Sequence, residues 1–114
     1  MMKNTLINYV EFKANDLQKI KDFYGPTFGW SFTDYGPDYV AFSDSGLEGG
    51  FERTEEKVTN GALIVLYHED LEGIRDKVAK AGGTIVKDIF SFPGGRRFHF
   101  TDPSRNELAI WSDK

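Results

Sequence analysis

The second half of this chain rewrites the first. Superposing Asp16-Leu17 on Asp70-Leu71 also aligns Val10 with Ile64, Phe12 with Leu66, Ile20 with Ile74, Lys21 with Arg75, Asp22 with Asp76 and Gly29 with Gly83. In both copies an extended segment runs into a capped helix that leaves through glycine. Either unit alone would expose an apolar face that only its twin covers. The pattern predicts one pseudo-twofold domain over residues 1–114, with units at about 6–52 and 61–112 and a ligand site where the copies meet.

In the first unit, residues 6–12 alternate, with Leu6, Asn8, Val10 and Phe12 on one face and Ile7, Tyr9 and Glu11 on the other. Asn15 or Asp16 caps a helix whose stripe of Leu17, Ile20, Phe23 and Tyr24 is expected to end at Gly25-Pro26. Extended segments follow at 30–33, 39–43 and 47–52, cut by Gly36-Pro37-Asp38 and Ser43-Asp44-Ser45-Gly46. The polar stretch 53–60 connects the halves. The second unit opens on residues 62–67, so nearly continuously apolar that both faces of this strand are expected to be covered. Asp70 caps a helix carrying Leu71, Ile74, Val78 and Ala81, which stops at Gly82-Gly83. Strands at 84–87, 96–101 and 107–111 complete the unit. Each half reads as βαβββ, an α+β fold.

A chain of 114 residues supports one domain with a true core, yet is small enough to gain from pairing with a second copy. A net charge of −4 and the lack of any Lys/Arg block argue against nucleic acid or an anionic membrane as partner. With 15% aromatic residues, an aromatic-lined interior and a small-molecule ligand fit better. The absence of cysteine removes disulfides, thiolate metal sites and a Cys nucleophile. Met-Met-Lys-Asn-Thr at the start carries no apolar leader core, and no run approaches the roughly 20 apolar residues of a membrane span, so a cytoplasmic location is expected.

The Asp-Leu helix entries, Phe23-Tyr24 before Phe28-Gly29-Trp30, Ala81-Gly82-Gly83 and the run from Gly95 through Phe98-His99-Phe100-Thr101-Asp102-Pro103 to Leu108 resemble the vicinal-oxygen-chelate superfamily. This is the glyoxalase, bleomycin-resistance and extradiol-dioxygenase group. The resemblance implies two βαβββ modules whose mixed sheets curl around a shared cleft, commonly in a homodimer. It also implies metal-ligand positions in the first and last strand of each module. By motif these fall on Tyr9, Leu63, Ala109 and a residue within 47–52, where Glu48 or Glu52 alone could coordinate. A divalent ion needs three or four ligands, so no metal is expected in the inherited position, and no other cofactor. The resemblance then favours metal-independent binding of a small organic molecule, with sequestration of a toxic or antibiotic-like compound as precedent. The alternative it leaves is a lyase or isomerase, through acid–base chemistry or a displaced metal site.

Alternation puts Tyr9, Glu11, Leu63, Val65, Glu107, Ala109 and Trp111 on the cleft side, an apolar and aromatic wall holding two carboxylates. If Phe98 and Phe100 enter the core, Arg97 and His99 join them. Glu11, mid-strand, is a candidate general base or ligand anchor, and His99 with Glu11 or Glu107 a candidate acid–base pair. The catalytic candidates are thus Glu11 and His99, set among Tyr9, Leu63, Val65, Arg97, Glu107, Ala109 and Trp111 as ligand-binding residues. Arg96 and Arg97 after Gly94-Gly95 fit a solvated hairpin or an anion contact, and His68 a surface loop. Trp30 fits cavity wall or core. Relatives often carry Gly at the place of Arg105, in a turn that favours positive φ.

Overall fold

The computed structural model describes residues 4–5 and 7–114. Leu6, expected to open the first strand, lies outside the described residues. The first module comprises β1 (Tyr9–Ala14), α1 (Leu17–Phe28), β2 (Ser31–Asp34), β3 (Tyr39–Ser43) and β4 (Glu48–Arg53). The second comprises β5 (Ile64–Tyr67), α2 (Leu71–Lys80), β6 (Thr84–Phe92), β7 (Gly95–Thr101) and β8 (Glu107–Ser112). The strands form two four-stranded sheets, ordered β1-β4-β3-β2 and β5-β8-β7-β6. In each, the first strand pairs parallel with the last and the remaining pairs are antiparallel.

Helix boundaries follow from capping. The Asp16 carboxylate accepts from Lys19 N at 3.0 Å and the Asp70 carboxylate from Gly73 N at 3.1 Å, satisfying N–H groups with no partner inside the helix. Contrary to the sequence expectation, α1 continues through Gly25-Pro26 to Phe28 and turns off at left-handed Gly29. Pro26 forfeits a single backbone bond, whereas Tyr24 and Thr27 are buried and Gly29 N donates to Gly25 O at 2.8 Å, so burial outweighs the break. α2 ends as expected: Gly82 takes φ of 106° and Gly83 N donates back to Val78 O at 3.0 Å.

The core lies between the modules. α1 sets Tyr24 against Trp30 and Phe51 of the first module, with ring centroids at 4.6 and 5.2 Å, while Phe23 reaches Phe100 of the second at 6.0 Å. Phe42, Phe51, Leu71, Ile74, Phe98, Phe100, Leu108 and Ile110 complete one buried cluster. Trp30 is therefore a core residue, stacked between Tyr24 and Phe42. The helix-side faces of both sheets meet in this cluster, and their opposite faces lie outside it.

The expectation that both faces of β5 are covered is corrected. Ile64 and Leu66 pack on the core, but Leu63, Val65 and Tyr67 are 41%, 44% and 50% exposed. β5 is also a sheet edge. The expected strand at 84–87 instead runs on to Phe92, with irregular register between Ile85 and Lys87 and between Lys87 and Phe90.

Candidate functional site

On the outer face of the second sheet, β7 and β8 alternate cleanly. Phe98, Phe100, Leu108 and Ile110 enter the core, leaving Arg97, His99, Glu107, Ala109 and Trp111 opposite. His99 Nδ1 stands 2.9 Å from Glu107 Oε2. A carboxylate only accepts, so Nδ1 carries the proton and Nε2 is the free end of the ring. That atom is buried without a partner, as is Arg97 Nε. Phe90 stacks on the imidazole at 5.9 Å, and Phe92, Trp111 and Tyr67 continue the aromatic row at 6.4 and 5.2 Å. An open pocket of about 260 Å³ lies over His99 and Glu107, rimmed by Asn60, Gly61, Ala62 and Leu63.

The outer face of the first sheet is polar. Tyr39 donates to Glu11 Oε1 at 3.0 Å, and its hydroxyl lies 2.6 Å from that of Tyr9. Lys13 bonds Glu52 and stands 3.7 Å from Glu11. Desolvation first, then the bonds to Tyr9 and Glu11, pushes the Tyr39 phenol well above its usual value, while the bond to Glu52 raises Lys13. Glu11 is thus exposed and held in a network, not buried as a lone inward-facing acid.

The structure brings His99 to Glu107, of the two partners its position allowed, and leaves Glu11 on the other sheet. Arg96 and Arg97 part company: Arg96 forms an ion pair with Glu72 on α2, and Arg97 stays on the outer face. Sequence reasoning missed Tyr39, Lys13, Lys87, Phe90 and Phe92. Strand alternation flags Tyr39, since Val40 and Phe42 must fill the core; Phe90 and Phe92 were hidden by the irregular register of β6.

The inherited chelating corners fail a test of donor chemistry. Register sets Tyr9 beside Glu48 and Val65 beside Ala109. Leu63 and Ala109 offer no side-chain donor atom, the Tyr9 hydroxyl is engaged with Tyr39 and Glu52 with Lys13, and the Glu48 carboxylate alone does not make the three or four ligands a divalent ion needs. Among the described residues no three His, Asp or Glu side chains cluster to hold a metal ion.

Two modules of βαβββ, each with an outer face of this kind, define a protein of the glyoxalase type. The model of the Glyoxalase/Bleomycin resistance protein/Dioxygenase superfamily matches residues 6–110, and the chain belongs to that superfamily. A glyoxylase-like domain-containing protein of Didymella fabae is 28% identical over 123 residues, covering 96% of both chains. Among solved structures, a glyoxalase-related enzyme from Fulvimarina pelagi superposes with a TM-score of 0.80 at 18% identity, over 95% of this chain and 88% of that one. A glyoxalase/bleomycin resistance protein/dioxygenase family enzyme from Burkholderia phytofirmans gives 0.81 at 17%, over 94% and 98%. At such identities the structural matches show the fold alone. No helix among the described residues is long and apolar enough to cross a membrane.

Proposed function

We propose that this protein binds a small organic molecule without a metal ion, acting in the cytoplasm as a homodimer. The observation that carries the reading is the outer face of the second sheet, where Leu63, Val65 and Tyr67 stay 41–50% exposed beside Trp111 while Leu63 and Ala109, two of the family's chelating corners, carry no donor atom. An exposed apolar edge strand is a liability for a lone chain, and a second copy laid against β5 would cover it. The outer face of the first sheet, with Tyr9, Glu11 and Tyr39, would then form the other wall of a cup shared between copies, with Val65, Arg97, His99, Glu107, Ala109 and Trp111 opposite.

A thermal-shift screen of metabolites and antibiotics, run with and without EDTA, tests the reading. The expected result is stabilisation by an organic compound that survives the chelator, in a particle of twice the 12.9 kDa chain mass. Stoichiometric Zn, Ni, Mn or Fe in protein purified without a His tag, or stabilisation lost with EDTA, would overturn it.

The bond from His99 to Glu107 favours a second reading, acid–base turnover by a lyase or isomerase. The carboxylate orients the ring and leaves Nε2 as the proton acceptor, in the manner of a base held by a third group. On that reading Glu11 of the facing wall is the complementary acid or anchor. Turnover abolished by His99→Gln with ligand affinity retained would select it.

A further inference from the structure

Arg97 is a half-buried cation in an uncommon setting. Arg53 is paired with Asp38 and Glu55, Arg75 with Asp76 and Asp88, and Arg96 with Glu72. Among the described residues Arg97 has no carboxylate partner, although it is half-buried and its Nε–H is wholly buried. Its guanidinium lies against aromatic rings, 5.4 Å from the centroid of Phe90 and 5.7 Å from that of Phe92. Lys87, also without an ion pair among the described residues, places its ammonium 4.7 Å from the same Phe90 ring. His99 lies cross-strand from Lys87 and two residues from Arg97 on the same face, with its ring stacked under Phe90. Among the described residues the one acid bonded to this cluster is Glu107, engaged at His99 Nδ1.

The Arg97 Nε–H is a donor buried without a partner, and it marks a position awaiting an acceptor. We propose that Arg97 and Lys87 form an organic-anion subsite with Phe90 as its movable cover, and that the ligand is an aromatic carboxylate. The guanidinium presents paired donors that match a carboxylate, while the row Phe92, Trp111 and Tyr67 offers the adjoining ring surface. Phe90 follows two irregular steps in the pairing of β6 with β7, the stretch where the ladder holds that strand least. Swinging the ring aside would expose the orphan Arg97 Nε–H. This subsite rests on the ligand-binding reading above and narrows it to one class of compound.

Three probes that share one ring system separate the possibilities: 2-naphthoate, 2-naphthamide and 2-naphthylmethylammonium, titrated by amide NMR into the intact protein. The expected result is that naphthoate shifts the amides of β7 and β8 and binds at least tenfold tighter than the other two. Arg97→Gln should abolish that preference, and the exposed Lys87→Gln, which carries no risk to folding, should reduce it severalfold. Equal affinity for all three probes, or a preference unchanged in both variants, overturns the subsite while ligand binding stands. No binding by any of the three overturns the subsite and counts against the binding reading as well.

Discussion

The Tyr24 hydroxyl donates to Asp102 Oδ2 at 2.8 Å, tying α1 of the first module to the loop between β7 and β8 of the second. Both groups are buried, and Asp102 also accepts from Ser104 N, Asn106 N and Asn106 Nδ2 at 2.8–3.0 Å. Asn106 extends the tie to Lys13 O at 2.8 Å. Tyr24→Phe should therefore cost about 1.5–3 kcal/mol, the range for a bond to a charged group. Urea unfolding gives the value, and a loss below 0.5 kcal/mol on that scale would show the bond to be incidental.

Burial holds the Asp102 carboxyl above its ordinary value of 3.8, its hydrogen bonds only partly offsetting desolvation. A group raised in the folded state stabilises below its unfolded value, and that contribution fades as pH rises through the folded value. The stability advantage of the natural protein over Asp102→Asn should thus be largest near pH 3 and shrink upward. Paired denaturation curves across pH 3–7 would reveal the opposite slope if hydrogen bonding dominated.

Arg105 takes φ of 70°, the left-handed conformation expected of this turn. Relief of about 1 kcal/mol of strain makes Arg105→Gly a stabilising change. Calorimetry should show a melting temperature several degrees higher; a fall would mean that Arg105 earns its place by other contacts.

Gly49 and Gly50 in β4 predict contrasting variants. A Cβ on Gly49 would meet Val10 O at 2.2 Å and the Phe42 ring at 2.4 Å, so Gly49→Ala should destabilise by about 1–3 kcal/mol or more. A Cβ on Gly50 would meet the Tyr39 hydroxyl at 2.3 Å, on a side chain facing outward. Gly50→Ala should cost less stability and instead dislodge Tyr39 from Glu11. Chemical denaturation of the pair would contradict this ordering if both behaved alike.

The phenols of Tyr24, Tyr39 and Tyr67 are all raised, Tyr24 and Tyr39 first by burial and Tyr67 first by its 2.5 Å bond to Asp113. Stability held by a raised phenol is complete below its ordinary value of 10 and is lost as pH climbs through the folded value. Ultraviolet titration of the native protein should show these tyrosines lagging, and Tyr39→Phe should remove one from the late group. Simultaneous ionisation of all five tyrosines before unfolding would refute the networks described.

Much of this architecture could be read directly from residue order. Asp16 and Asp70 cap as their positions require, and the alternation of Phe98, His99 and Phe100 places the imidazole outside the core because two phenylalanines compete for the inside. α1 runs past the stop its sequence predicts because burial of Tyr24 and Thr27 outweighs local propensity at Pro26, a tertiary effect. β6 eluded the reading for a related reason: its irregular register breaks the period that reveals strands, and with it went Phe90 and Phe92. The continuous apolar run of β5 suggested cover on both sides, but apolar composition does not say which molecule supplies that cover.

Phe23 of α1 resting on Phe100 of β7 carries a consequence for how the molecule comes apart. Neither half owns its interior, so heat should melt both in a single cooperative event. A chain nicked between Asn60 and Gly61 would yield two fragments that stay unfolded when separated and regain structure only on being mixed.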